Sequence, residues 1–427
     1  MDIATCLKAA QVSPGPACAV LLLASMAVGA SAHASELGAL IEANRALLGP
    51  AAADPETHRV QVRYTRIERD ADNTPRFHVE TWGVTPDTYF YPASVVKFPI
   101  AVAALEFLDD LEPSGVDRDT PMLSGAARPA QTTAELDPTA PSGMPSVAHY
   151  VKKLFIVSDN DASNRLFELV GVDDLHHRLD RYGMGASRIV HRLALRLPIE
   201  ENRHSNPVEF IAGGVLRHAE PAREGADRVA GVAPIPLGSG EIIDGALVAG
   251  PKNFARQNHL PLADVHGLLQ AVIFPDSVAE ARRPRLSPTD RALLLEAMSV
   301  QPAASGIEAY RDNDRYPDGF ANYLIVGRDG DRLPSGVHIF NKVGRAYGFL
   351  TETAYVADLD QGAEFMVSAT VYANANGVFN DDVYEYEEIG LPFLAALGEV
   401  LLEHERGRSR LHAPDFARMG AEWPFNR

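Results

Sequence analysis

The spacing of apolar residues changes period twice along this chain, and that limits the folds it can reach. Arg59 to Arg69 alternates, with Val60, Val62 and Tyr64 separated by polar residues. A period of two predicts a strand with one buried face. Phe77 to Trp82 reads as its hairpin partner, and Asp72 to Thr74 as the turn. From Ala93 the period becomes helical: Val96, Ile100, Ala103, Ala104 and Phe107 share a face, and this helix is expected to end near Asp109. Pro99 stands about a turn inside it, close to where proline is tolerated. Further helices are predicted from Val147 to Val157, Ala162 to Val170, Leu262 to Val272 and Pro288 to Val300. Strands return at Gly336 to Val343, Thr351 to Asp358 and Glu364 to Tyr372, before a closing helix from Pro392 to Glu403.

That order predicts an α+β fold: a five-stranded antiparallel sheet drawn from both chain ends and flanked by helices, plus a helical lobe from the middle. Residues 35–107 and 289–405 are expected to form the sheet lobe, and residues 108–288 the helical lobe. Pro113 to Pro145 reads as connecting loop, and residues 212–261 as an inserted β-hairpin or lobe. The tail, residues 406–427, reads as polar and peripheral. With 46% hydrophobic and 22% charged residues the chain can build a large core, which excludes general disorder. A net charge of −18 repels phosphate backbones, so neither a nucleic-acid partner nor an anionic membrane surface is expected.

The first residues read as an export signal. Lys8 precedes an apolar run from Ala17 to about Ala30, too short to span a bilayer comfortably. Ala32-His33-Ala34 offers a small-x-small cleavage site, leaving Ser35 as the mature N-terminus. An uncleaved anchor is the alternative. After cleavage no stable membrane association is expected, and the location would be periplasmic or secreted. Both cysteines, Cys6 and Cys18, fall in this leader, so a mature chain would have no disulfide, thiolate metal site or cysteine nucleophile.

The chemistry centres on Ser94-Val95-Val96-Lys97. Three residues is close to one helical turn, so Ser94 and Lys97 share a face. A serine hydroxyl needs a base to take its proton, and a lysine can serve if desolvation lowers its pKa. The helix start supplies the Ser94 N–H and a positive dipole end, both suited to an oxyanion. Ser158-Asp159-Asn160 stands between two predicted helices, where a loop can present side chains into a cleft. Lys342-Val343-Gly344 ends a predicted strand, with Tyr347-Gly348 just after it.

With these three boxes in order, the chain resembles the penicillin-recognising serine hydrolases, and class A β-lactamases most closely. Tyr91-Pro92-Ala93-Ser94, the run from Ser158 to Asn164 and the run from Asn341 to Gly348 all look similar to the family's boxes. The resemblance covers about Leu37 to Glu403 and implies a β-lactamase/transpeptidase-like fold. It implies that Ser94 forms an acyl-enzyme, that Lys97 accepts its proton, and that Ser158, helped by Lys342, relays a proton to the leaving group. Asn160 would hold the substrate's amide side chain. Gly344 and Arg345 would border the substrate, with the N–H groups of Ser94 and Arg345 as the oxyanion hole. The partner would be a small molecule or peptide, the chain a monomer, and neither cofactor nor metal is called for.

Two departures stand out. Val343 replaces the Thr or Ser whose hydroxyl the family uses to hold a substrate carboxylate; Arg345 could take over that task. The water-activating Glu of the class A enzymes has no counterpart in Arg192-Leu193-Ala194-Leu195-Arg196, and Glu200 and Glu201 are the nearest acids. Asp312 and Asp314 resemble a calcium-loop fragment without its closing glutamate. The adjacent pair His176 and His177 would not share a helix face, so they are not expected to be co-ligands. Two functions follow as expectations: a serine hydrolase acting on a cyclic amide, peptide or ester, or a binding or sensor protein of the same fold with little turnover.

Overall fold

The computed structural model describes residues 35–85, 88–111 and 114–426. The leader proposed above lies outside the described residues. Five strands form the main sheet: β1 (Gln61–Arg69), β2 (Pro75–Trp82), β3 (Val337–Ala346), β4 (Phe349–Asp358) and β5 (Ala363–Tyr372). They lie in the order β3-β4-β5-β1-β2, and every neighbouring pair is antiparallel. The two ends of the chain therefore meet where β1 pairs with β5, with Tyr64 opposite Val367. The expected sheet is the one observed.

Helices cover both of its faces. Three elements line one side: α1 (Glu36–Ala43), α2 (Arg45–Ala53) and α9 (Leu391–Gly407). They bury Val62, Ile339, Val356, Phe365 and Val367. The other side meets a block made of α3 (Lys97–Asp110), α4 (Val147–Ile156), α5 (Asn160–Val170), α6 (Val172–Tyr182), α7 (Leu262–Ile273) and α8 (Pro288–Ser299). Its core takes in Ile67, Phe340, Tyr355 and Met366 from the sheet. Successive side chains of a strand point to opposite faces, so a strand covered on both sides is buried at successive positions rather than alternate ones. This is why β4 is buried at all ten positions, and why β1 is buried beyond the single face its alternation suggested.

The segment expected as an insertion is largely extended. Val208–Ala212 and Val215–Glu220 form a hairpin that Met122–Ser124 extends to three strands, inside what the sequence suggested was loop. Gly240–Ile243 and Ala246–Ala249 form a second hairpin. Its turn, Asp244-Gly245, has φ of 51° and 80°, the positive pair that a tight type I′ hairpin needs. Val378–Phe379 adds to it in parallel, tying the inserted hairpin to the chain that leaves β5.

The tail is not peripheral. Trp423 is 1% exposed, with its ring 5.0 Å from Phe340 and 5.8 Å from Tyr355. The expectation rested on the charged stretch after Arg406. A single tryptophan at the far end reverses it, because its large apolar area outweighs the cost of ordering the link.

Candidate active site

The turn that carries Ser94 is strained. Ala93 has φ of +46°, in the left-handed region, and Ala93–Val96 form a short 3₁₀ turn before α3 begins at Lys97. The Lys97 N–H bonds the Ser94 carbonyl, so the two residues lie one turn apart as the spacing suggested. Ser158 has φ of +52° and stands in the link between α4 and α5, while Asp159 caps α5 through a 2.8 Å bond from the Ala162 N–H. Left-handed non-glycine residues cost energy and persist only where their surroundings impose them. Both strained residues belong to the boxes singled out from the sequence.

The lysines converge on Ser158. The Lys97 ammonium donates to the Ser158 carbonyl, to Ser158 Oγ at 3.1 Å and to Asn160 Oδ1 at 2.7 Å. Lys342 Nζ donates to the same Ser158 Oγ at 3.0 Å and to the Val343 carbonyl at 3.0 Å. Both lysines are buried, at 0% and 1% exposure. Burial holds Lys97 well below the usual lysine range, and the neighbouring Lys342 cation lowers it further, against an opposing pull from Asp159. Burial also lowers Lys342, to about 7, with Glu352 opposing the shift. Two buried like charges bonded to one hydroxyl disfavour double protonation. A neutral Lys97 amine has a free lone pair and can act as a base.

Gly344 explains how β3 reaches the turn. A Cβ there would stand 2.4 Å from the Pro92 carbonyl oxygen and 3.0 Å from the backbone nitrogens of Ser94 and Val95. Only a residue without a Cβ lets the strand lie this close to the serine's own peptide. Ser94 opens onto two cavities. One, of about 770 Å³, is bordered by Ser158, Val343, Gly344 and the segment from Asn313 to Arg332. The other, of about 600 Å³, is bordered by Tyr91, Asn160, Leu193, Ala194, Tyr347 and Tyr386. Arg345 borders both.

Ser94, Lys97, Ser158, Asn160, Lys342 and Gly344 are thus brought together. Arg345 is nearby but engaged: its guanidinium is 3.5 Å from Glu387 and 5.4 Å from the centre of the Tyr386 ring. Among the described residues no bond turns its side chain toward Val343. Nor does Glu200 or Glu201 reach Ser94. Arg128 holds Glu201 at 2.7 Å, and Arg203 holds Glu200 at 2.8 Å. Instead, Asn164 fixes the loop by bonding both the Leu193 carbonyl, at 3.0 Å, and its N–H, at 2.8 Å. The position facing Ser94 on that loop is therefore apolar. Glu200, His204 and Glu224 do bring ligand atoms within 4.8 Å of one another. Arg203 bonds both of these carboxylates, so a cation already bridges the cluster.

Sequence reasoning missed Glu352. It faces Val343 across the β3–β4 ladder and is fully buried. It accepts bonds from the N–H groups of Tyr323 (2.8 Å) and Leu324 (2.7 Å) and from the Asn341 amide. Burial pushes its carboxyl up to about 7, despite those donors and the Lys342 charge. An acid between two threonines in the middle of a strand that is otherwise rich in apolar residues was the available signal.

A family model described as the beta-lactamase enzyme family matches residues 78–390, most of the chain. The chain belongs to this family. Among solved structures, it is similar to a β-lactamase from Sphaerobacter thermophilus, at 16% identity over 88% of this chain and 99% of that one, with a TM-score of 0.47. A β-lactamase from Desulfarculus baarsii matches at 17% identity over 86% and 99%, with a TM-score of 0.44. One from Xanthomonas campestris matches at 17% over 85% and 98%, with a TM-score of 0.46. No curated protein matches the chain.

Proposed function

We propose that the protein is an exported serine hydrolase, periplasmic or secreted and monomeric, that opens a cyclic amide, peptide or ester through an acyl-enzyme on Ser94. The observation that carries this reading is the convergence of Lys97, one turn from Ser94, and of Lys342 on Ser158 Oγ. Neutral Lys97 takes the Ser94 hydroxyl proton as Oγ attacks the carbonyl carbon. The N–H groups of Ser94 and Arg345 receive the oxyanion, and the N-terminal end of α3 favours its charge. As the tetrahedral intermediate collapses, the carbonyl carbon's bond to the leaving nitrogen or oxygen breaks. Ser158 passes a proton to that atom and is reprotonated from the lysine side. Water then hydrolyses the ester. Asn160, at the cavity mouth, holds the acyl side chain.

A second reading is favoured by Leu193 and Ala194, which line the Ser94 cavity where an acid would be needed to activate water. On this reading the protein binds or traps its ligand and barely releases it. A fluorescent penicillin, followed over time on purified protein and on Ser94→Ala, separates the two. Label that forms on Ser94 and decays supports the hydrolase, and label that persists supports the trap. Label undiminished in Ser94→Ala refutes the nucleophile.

A further inference from the structure

The larger of the two cavities beside Ser94 has an electrostatic character that bears on substrate choice. Its floor is Val343, 2% exposed and without a donor. The cross-strand partner of Val343 is Glu352. Directly opposed residues in an antiparallel pair share a face, with Cβ atoms about 4.5–5.5 Å apart. A buried carboxyl group therefore stands behind the valine, fixed by three hydrogen bonds from Tyr323, Leu324 and Asn341.

Lys342, whose charge acts on Glu352, is held by Ser158 and the Val343 carbonyl, and the cavity's guanidinium groups are each paired. Arg345 pairs with Glu387, Arg328 with Asp331 and Glu399, and Arg332 with Asp318. Asp314 and Asp329 line the same wall and have no ion-pair partner among the described residues. An anionic group placed against Val343 would find no hydroxyl on that residue, no unpaired guanidinium and several carboxylates, with Lys342 engaged by Ser158 and the Val343 carbonyl. An ammonium group would find the reverse, in a recess where charges interact more strongly than in bulk water.

Building on the acyl-serine reading, we propose that this cavity selects substrates whose leaving group carries an amine, and rejects those that carry a carboxylate there. The discrimination is set by the absent hydroxyl at Val343 and by the carboxylates of Asp314 and Asp329, with Glu352 behind the valine.

The test uses three phenylacetylglycyl esters whose leaving groups differ only in ending in ammonium, carboxamide or carboxylate. Ser94 acylation is followed by mass spectrometry, and binding to Ser94→Ala by calorimetry. The expected order is ammonium, carboxamide, carboxylate, with at least about tenfold between the extremes, a span of about 1.4 kcal/mol. Val343→Thr should speed the carboxylate ester alone. The double variant Asp314→Asn, Asp329→Asn should narrow the range without touching the fold, and so keeps the test independent of the buried Glu352. Equal or faster reaction of the carboxylate ester, or equal or tighter binding of it to Ser94→Ala, overturns the proposal. If the binding order holds while a serine-directed phosphonate leaves Ser94 unlabelled, the acyl-enzyme reading falls and the cavity's preference stands.

Discussion

Replacing Gly344 by alanine tests whether the close approach of β3 builds the nucleophile turn. The new Cβ would meet the Pro92 oxygen at 2.4 Å, about 1 Å short of the 3.4 Å where ordinary contact begins. The backbone nitrogens of Ser94 and Val95 follow at 3.0 Å. All three are main-chain atoms, so no rotamer change relieves the overlap. Either the strand withdraws or the turn does. A displacement of about 1 Å at the reacting atoms costs roughly a hundredfold in rate, or about 2.7 kcal/mol of barrier. Overpacking strain adds typically 1–3 kcal/mol of lost stability. The assay is the pseudo-first-order rate of Ser94 labelling by a fluorophosphonate, with thermal unfolding measured on the same preparation. Labelling should slow by roughly a hundredfold and Tm should fall. Labelling within threefold of wild type at unchanged Tm would show that the strand does not hold the turn.

Further outcomes are expected from four variants and from the wild-type pH profile. Lys97→Ala should slow Ser94 acylation by roughly 10²–10⁴, the loss typical of a missing general base. The wild-type rate should reach its high-pH plateau well below the ordinary lysine pKa, and a limb at 10.5 or above would count against Lys97 as the base. Leu193→Glu places an acid in the cavity with Ser94 and should shorten the lifetime of a penicilloyl adduct; an unchanged lifetime by mass spectrometry would show that the loop position is not the water site. Trp423→Ala should cost about 3–5 kcal/mol in urea unfolding, as for other buried large aromatics, and a loss under 1 kcal/mol would mean that the tail is not docked. Glu352 has a folded pKa of about 7, above its ordinary 4.5, so between these values the folded state binds the extra proton. Its contribution therefore falls as pH rises from about 4.5 to 7, and Glu352→Gln should flatten that part of the stability profile. An unaltered slope in the variant would mean that another group titrates there.

The sheet and the serine–lysine pairing were legible because both depend on local periodicity. Period two marked the strands, and three-residue spacing placed Ser94 and Lys97 one turn apart. What escaped depends on contacts between segments far apart in sequence. The left-handed φ of Ala93 and Ser158 has no local signature, since neither is glycine. That Arg345 turns to Glu387, and that Arg128 takes Glu201, could not be read from charge alone, because each arginine has several acids within reach along the chain. The docking of Trp423 was hidden for the same reason: its partners, Phe340 and Tyr355, belong to the opposite end of the sheet lobe's sequence from the residues that open it.

The pairing of β1 with β5 has a consequence for biosynthesis. Ser158 and Lys342, bonded through one hydroxyl, are 184 residues apart, and Tyr64 and Glu405 are 341 apart. Closing such loops costs little more than closing shorter ones at equilibrium, but contacts of this range form slowly. The centre therefore cannot exist on a ribosome-bound chain still lacking β3, and a fragment ending before Lys342 holds half a site. The centre assembles as a single late event, once β3 has been made and has folded back onto the helical block.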